Sequence, residues 1–404
     1  PEMDEDRFWD SNAETRFPGQ ITPPLLPIQD TITPLANLYH PFVCDSDLYA
    51  VGRVGVGTNA YLYKYVVGSG WGSYGLVATD NVPIAAIAGV ESKIRAWGIG
   101  TVASILRCWR FSVVPSPNSI ESTYSSIASS NAVWGRSSVP TWGAILTNTE
   151  VITQFDNAFI SIISKGLGGV AEVGSYAQTL ALPDGLFQLY NKGKAIFQSQ
   201  DPTALLNGRG LNTWRLTTFY PLENGGMIAY NPDTLTLVEL GPNQDDGLAQ
   251  DIQGPWTASV ITPYHIIFGK SADISSRKAT IFGYDGIGWN ILWKDDTAGR
   301  WLTELAISKL DPVERLHFFL AGTQSILGAT LAYHLPYYQS NPAQTPSLSV
   351  ASQGYFTDSQ FFGYTPETEN TFLRLWIQGE GISSLNTITA LYGINGATPN
   401  ATLG

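Results

Sequence analysis

The sequence predicts an all-β protein: β-propeller-like repeated antiparallel sheets, with an extended N-terminal arm and a small C-terminal β-sandwich module. Three observations carry the prediction. Short runs of aromatic and β-branched residues alternate with turn residues. The runs recur at a spacing near that of a four-stranded blade. No segment reads as a convincing amphipathic helix; the best candidate, Gly299 to Leu310, also reads as strand.

The runs themselves are explicit. Asp47–Gly52, Ala60–Val67, Ile94–Trp97, Ala158–Ile163, Gly185–Tyr190, Gly226–Tyr230, Tyr264–Gly269 and Arg315–Leu320 are rich in the residues that fit a pleated, half-buried surface. Turns rich in Gly, Asn or Asp follow several of them, at Asn191–Lys194, Asn231–Asp233 and Tyr284–Gly288. Centres taken at Leu48, Ile94, Phe159, Phe187, Met227, Ile266 and Leu316 lie 46, 65, 28, 40, 39 and 50 residues apart. The intervals of 65 and 28 fit a blade repeat badly, so the register is firm only after about residue 185.

Texture divides the chain in three. Residues 1–45 form the expected arm, because Phe17–Pro27 is proline-rich and proline forbids helix and central strand. Its apolar residues Ile21, Leu25, Leu26 and Ile28 suit an arm lying on a neighbour better than a free linker. Residues 46–343 form the propeller-like domain. Residues 344–404 form the C-terminal module, with alternating strands at Phe372–Gln378 and Thr387–Tyr392. The end at Gly404 falls just after a strand-like turn, as in a module that continues. A start at Pro1 predicts processing or a longer chain.

Composition excludes several functions. The 404 residues carry a net charge of −12, with 14% charged residues, 12% aromatic residues and 12 Trp. Basic runs are absent, so neither nucleic acid nor an anionic membrane surface is an expected partner. No long apolar stretch predicts membrane insertion. Two cysteines, Cys44 and Cys108, exclude a disulfide framework.

The search for chemistry is largely negative. The four histidines show no metal-ligand spacing, and His265 and His317 read as satisfied core histidines in apolar strands. Gly55-x-Gly57-x-x-Ala60 and Gly166-x-Gly168-x-x-Ala171 lead into strands, where a dinucleotide fingerprint needs a helix. No metal, cofactor or catalytic residue is expected. Glu150, Asp156, Asp184 and Glu239 are conceivable members of a carboxylate pair, since such partners are distant in sequence. Asp245–Asp246 and Asp295–Asp296 are unspecific calcium-loop candidates. Tyr284–Trp289 is similar to an Asp-box turn with altered spacing and reads as a structural turn locked by Trp289. Aromatics beside glycine-rich turns remain: Trp71, Tyr74 and Trp289 are candidates to stack on a sugar or anchor a protein partner, against the plainer reading that they wedge between blades.

Gly288–Trp293, Glu314–Phe319 and Tyr333–Pro336 give a "GW…W" strand, an "RLHFF" strand and an "HLP" strand. With Phe356–Ser359, Thr371–Leu375, Tyr392–Gly396 and the arm segment Arg16–Gln20, this resembles the propeller-like structural proteins of tailed bacteriophages. The likeness is textural and covers mainly residues 280–404. It implies a virion structural protein of tail, neck or baseplate, acting in assembly and host-surface binding. The implied partners are other virion proteins, copies of itself and bacterial surface glycan, and the implied location is the extracellular particle. A carbohydrate-binding propeller and a glycan-degrading propeller enzyme are the alternatives.

Overall fold

The computed structural model describes residues 24–55, 57–79, the strands between 81 and 200, and most of 210–242. It also describes 248–310, 314–322, 330–337 and short stretches at 10–11, 356–357, 387–392 and 401–402. Within 81–200 only the side chain of Ile94 is described.

Among the described residues seven sheets of at least four strands follow one another along the chain. The first holds Ala36–Cys44, Asp47–Val54, Ala60–Val66 and Gly70–Ala78. The next three occupy 81–124, 132–162 and 170–200. The fifth runs through Asn212–Trp214, Thr217–Pro221, Met227–Asn231 and Thr236–Leu240. The sixth runs through Trp256–Ile261, Ile266–Lys270, Lys278–Tyr284 and Trp289–Ala298. The seventh takes Trp301–Ser308, Arg315–Ala321 and Leu331–Pro336 from the end of the series. Its fourth, outer strand is Ile28–Asp30 from the N-terminal side, antiparallel to Leu331–Pro336.

The first strand of each sheet abuts the first strand of the next, and Trp301–Ser308 abuts Ala36–Cys44. The sheets therefore close into a ring around their first strands. Where side chains are described, the inner strands of sheets six, seven and one bury apolar residues on both faces against their neighbours. The cluster between sheets six and seven joins Ala258, Ile267 and Ile281 to Leu302, Leu305, Leu316 and Phe318. The cluster between sheets seven and one joins Phe319 and Ala332 to Leu38, Tyr63, Tyr65 and Trp71.

Closure is doubled at the rim. After Asp30 the chain crosses to sheet one, where Ile32–Thr33 pairs in parallel with Gly70–Ala78. Trp71 N–H donates to the Thr31 carbonyl at 2.7 Å. Gly70 stands at φ +81°, and a Cβ there would lie 2.3 Å from Thr31 O. Only glycine allows so close a crossing.

The expected arm over 1–45 is thus sheet from Ile28 onward. Proline enrichment stops at Pro27, and hydrogen-bonding residues of the last and first sheets follow. The chain divides into two compact units, 11–355 and a second made of 1–10 with 356–404. In the second, Leu391–Tyr392 pairs antiparallel with Ala401–Thr402. The strand expected at Phe372–Gln378 lies outside the described residues.

Candidate protein-docking face

Strand order fixes which loops share an end of the ring. In each four-stranded antiparallel sheet the first–second and third–fourth hairpins turn at the same end. Across sheets one, five and six this end carries seven exposed apolar side chains: Val43, Val66, Val67, Leu216, Ile261, Tyr264 and Ile287. Singly exposed apolar residues are ordinary, whereas a contiguous apolar patch is a candidate interaction surface.

Three tips are tied into one rigid patch. Trp214 Nε1–H donates to Thr262 O at 2.8 Å. Arg215 stacks on the Trp214 ring at 4.2 Å and donates to Pro263 O at 3.1 Å. The Thr262 hydroxyl accepts from His265 N at 2.9 Å, and Tyr337 OH meets His265 Nδ1 at 2.6 Å. A Cβ on Gly286 would touch the Trp214 ring at 3.8 Å, so the third tip lies against the first. There Asp285 Oδ1 accepts from Ile287 N and Gly288 N at 2.7 and 2.8 Å, holding the turn.

What this framework presents is apolar. Leu216 is 63% exposed, Tyr264 50% and Ile287 90%. Leu216 and Arg215 both sit at positive φ, +66° and +48°, in a tight turn that Asn or Gly would fill at lower cost. Strained non-glycine residues that present an apolar side chain to water point to a role outside folding.

A second constellation looks catalytic and is sealed. Ser308 Oγ lies 2.8 Å from His317 Nε2, and His317 Nδ1 lies 3.9 Å from Asp30 Oδ2. The order serine–histidine–aspartate imitates a nucleophile relay. Yet Ser308 is 2% exposed and His317 0%, so no substrate reaches the hydroxyl. The 3.9 Å separation also exceeds a hydrogen bond. Asp30 Oδ1 instead accepts from His334 Nδ1 at 2.8 Å. Burial pushes His317 below its ordinary pKa. Burial also pushes the Asp30 carboxyl up, but the polar pull of the neighbouring His317 and His334 rings outweighs it and holds it down. The network rivets the N-terminal strand to sheet seven. Lys270 is similarly enclosed over the Trp256 ring at 4.3 Å. Burial first, then the Arg277 charge, lowers it to about 7.

The sequence-predicted site residues disperse. Trp71 is buried between Tyr65, His317 and Phe319, which removes it as a sugar or partner contact. Tyr74 is 43% exposed but far along the outer strand, packed edge-on to Tyr49. Trp289 is half-buried against Trp256 and Tyr284. Leu25 is 2% exposed within the core between sheets six and seven, so it cannot lie on a neighbour. Leu26 and Ile28 are exposed. Ile21 lies outside the described residues, as do Glu150, Asp156, Asp184 and the pair Asp245–Asp246. Asp295 is buried and engaged by Thr297 N at 2.9 Å and Arg300 Nε at 3.3 Å. Among the described residues no group of three His, Cys, Asp or Glu side chains gathers as a metal site would require.

Solved structures with the same arrangement are propellers. The WD40 propeller domain of Doa1 matches with a TM-score of 0.51 and 9% identity, over 78% of this chain and 97% of that one. The chain is a β-propeller. BamB from Moraxella catarrhalis matches with a TM-score of 0.45 and 15% identity, over 75% of this propeller's chain and 84% of its own. At such identities the likeness shows the fold alone. No protein-family model and no curated protein matches the sequence.

Leu216, Tyr264 and Ile287 escaped the sequence reading, which weighed aromatics beside glycines. The signal was an apolar residue inside a turn, where Gly, Asn or Asp is the usual occupant.

Proposed function

We propose that the propeller is a non-catalytic protein-docking scaffold whose partner seats on the hairpin tips of sheets five and six. The carrying observation is the tip patch: Leu216, Tyr264 and Ile287 exposed on a hydrogen-bonded frame around one cation, Arg215. Aromatic and Arg anchors ringed by apolar contacts are the usual energetic centre of an interface. The finer reading, a structural protein of a tailed-phage-like particle, is supported by the sequence likeness over 280–404. Its partners are then other virion proteins and copies of the chain. The burial of Trp71 withdraws the main residue behind the glycan-binding alternative.

The test is incorporation into particles. Ile287→Asp combined with Tyr264→Ala leaves thermal unfolding unchanged, because both side chains face water. It lowers incorporation by roughly tenfold or more, as loss of hot-spot contacts worth about 2 kcal/mol implies. Incorporation equal to wild type removes the tip face from the reading. Absence of the wild-type chain from purified particles removes the virion assignment.

A further inference from the structure

The outer edges of the propeller are not treated alike. Sheet seven ends in Ile28–Asp30, added from the N-terminal segment, and sheet one ends in Ile32–Thr33. Sheet six ends in Trp289–Ala298, which is broken by two register shifts and carries Lys294, Asp295 and Asp296. Covering, bulging and charging are the ways natural sheets blunt an edge. Sheet five ends in Thr236–Leu240, which is last in its sheet and regular in register from Met227↔Leu240 to Asn231↔Thr236. Its residues 236–239 are all exposed, with Leu237 at 43% and Val238 at 50%. Successive side chains face opposite sides of a strand, so each face of this edge carries one exposed apolar side chain, Leu237 on one and Val238 on the other. Its outward N–H and C=O groups offer a template for one more strand.

Charge narrows the occupant. No Lys or Arg occurs between Arg215 and Lys270. Asp233, beside the strand, and Glu239, within it, are both exposed. An incoming strand therefore meets acidic groups unrelieved by nearby basic sequence, and a second copy of the same edge would bring the same charge.

We propose that Thr236–Leu240 accepts an extended segment of a partner protein, with apolar and basic residues alternating, as a fifth strand of sheet five. Main-chain bonds then supply affinity while Leu237, Val238 and Glu239 supply selection. The mode is the one by which Ile28–Asp30 completes sheet seven. The proposal stands apart from the hairpin-tip face and survives its failure.

The experiment titrates the intact chain with a labelled, end-capped peptide of alternating Val and Lys, read by fluorescence anisotropy. A peptide alternating Val and Glu is the control, and amide hydrogen exchange locates the contact. The Val–Lys peptide binds, protects amides within 236–240, and binds at least about tenfold more tightly than the Val–Glu peptide. Leu237→Lys with Val238→Lys abolishes binding while unfolding stays as in wild type. The Ile287→Asp, Tyr264→Ala variant binds the peptide normally. No binding, equal binding of the two peptides, protection elsewhere, or self-association through this edge in place of peptide capture overturns the proposal.

Discussion

Asp30→Ala is expected to destabilise the propeller by about 1–3 kcal/mol, the cost of leaving a buried hydrogen-bond donor without its acceptor. The strand Ile28–Asp30 has three residues, so it adds few main-chain bonds of its own. Asp30 is 8% exposed and holds His334 Nδ1 at 2.8 Å, with His317 beyond. Without the carboxylate a buried donor loses its acceptor, and the strand loses its rivet to sheet seven. The same cluster sets a pH dependence. Asp30 titrates below the ordinary 3.8 and His317 below the ordinary 6.5. Both groups bind protons less readily folded than unfolded, so each contributes stability that falls with pH. The contribution is complete above about pH 6.5. The His317 part is lost as pH falls from there through its folded value, and the Asp30 part as pH falls from 3.8 through its own. Urea unfolding from pH 7.5 downward checks this. The wild-type midpoint declines on acidification, and Asp30→Asn lacks the component below 3.8. Identical acid profiles for wild type and Asp30→Asn would contradict the assignment.

The repeat was legible and its phase was not. The seven run centres fall on seven different sheets, one each. They occupy different places in them: Leu48 and Ile94 lie on second strands, Phe159 on a fourth, Phe187 and Met227 on third strands, Ile266 and Leu316 on second strands. The misfit intervals follow from this. Passing from a second strand to a fourth adds two strands and gives 65, while fourth to third subtracts one and gives 28. Short strand patterns announce burial, not position within a sheet, and only pairing partners distinguish the positions.

Closure was invisible for a different reason. Asp30 and His334 are separated by 304 residues. Composition near Pro18–Pro27 describes local stiffness, and nothing local states that the next three residues complete the last sheet. Leu25 illustrates the cost of a local reading. An apolar residue in a proline-rich segment suits a surface arm, yet it fills the core between sheets six and seven. The tip patch shows the reverse case. Leu216 and Ile287 break the local rule for turn residues, and such conflicts between local preference and structure gather at functional sites.

Trp71→Ala carries the largest packing loss. Trp71 sits in Gly70–Gly75, where the sequence allows either an exposed platform for a ligand or, as the plainer reading, a wedge between blades. The structure turns it inward because Gly70 takes φ +81° and Trp71 N–H is claimed by Thr31 O at 2.7 Å. Its ring then lies 5.2 Å from Phe319, 5.5 Å from Tyr65 and 6.2 Å from His317. It therefore packs against sheet seven and against the rivet that holds Ile28–Asp30. Truncation to alanine removes that packing and leaves a cavity at the seam where the ring closes, at about 3–5 kcal/mol. Trp71→Phe refills part of the space and is expected to recover more than half of the loss. Denaturant midpoints at neutral pH measure both variants. The two residues share His317 as a neighbour, so Trp71→Ala and Asp30→Ala are also expected to couple: the double variant loses less than the sum of the singles by about 0.5–3 kcal/mol. Strict additivity would mean that packing and rivet stabilise the seam independently. A Trp71→Ala chain with wild-type stability would show that the ring closes without it.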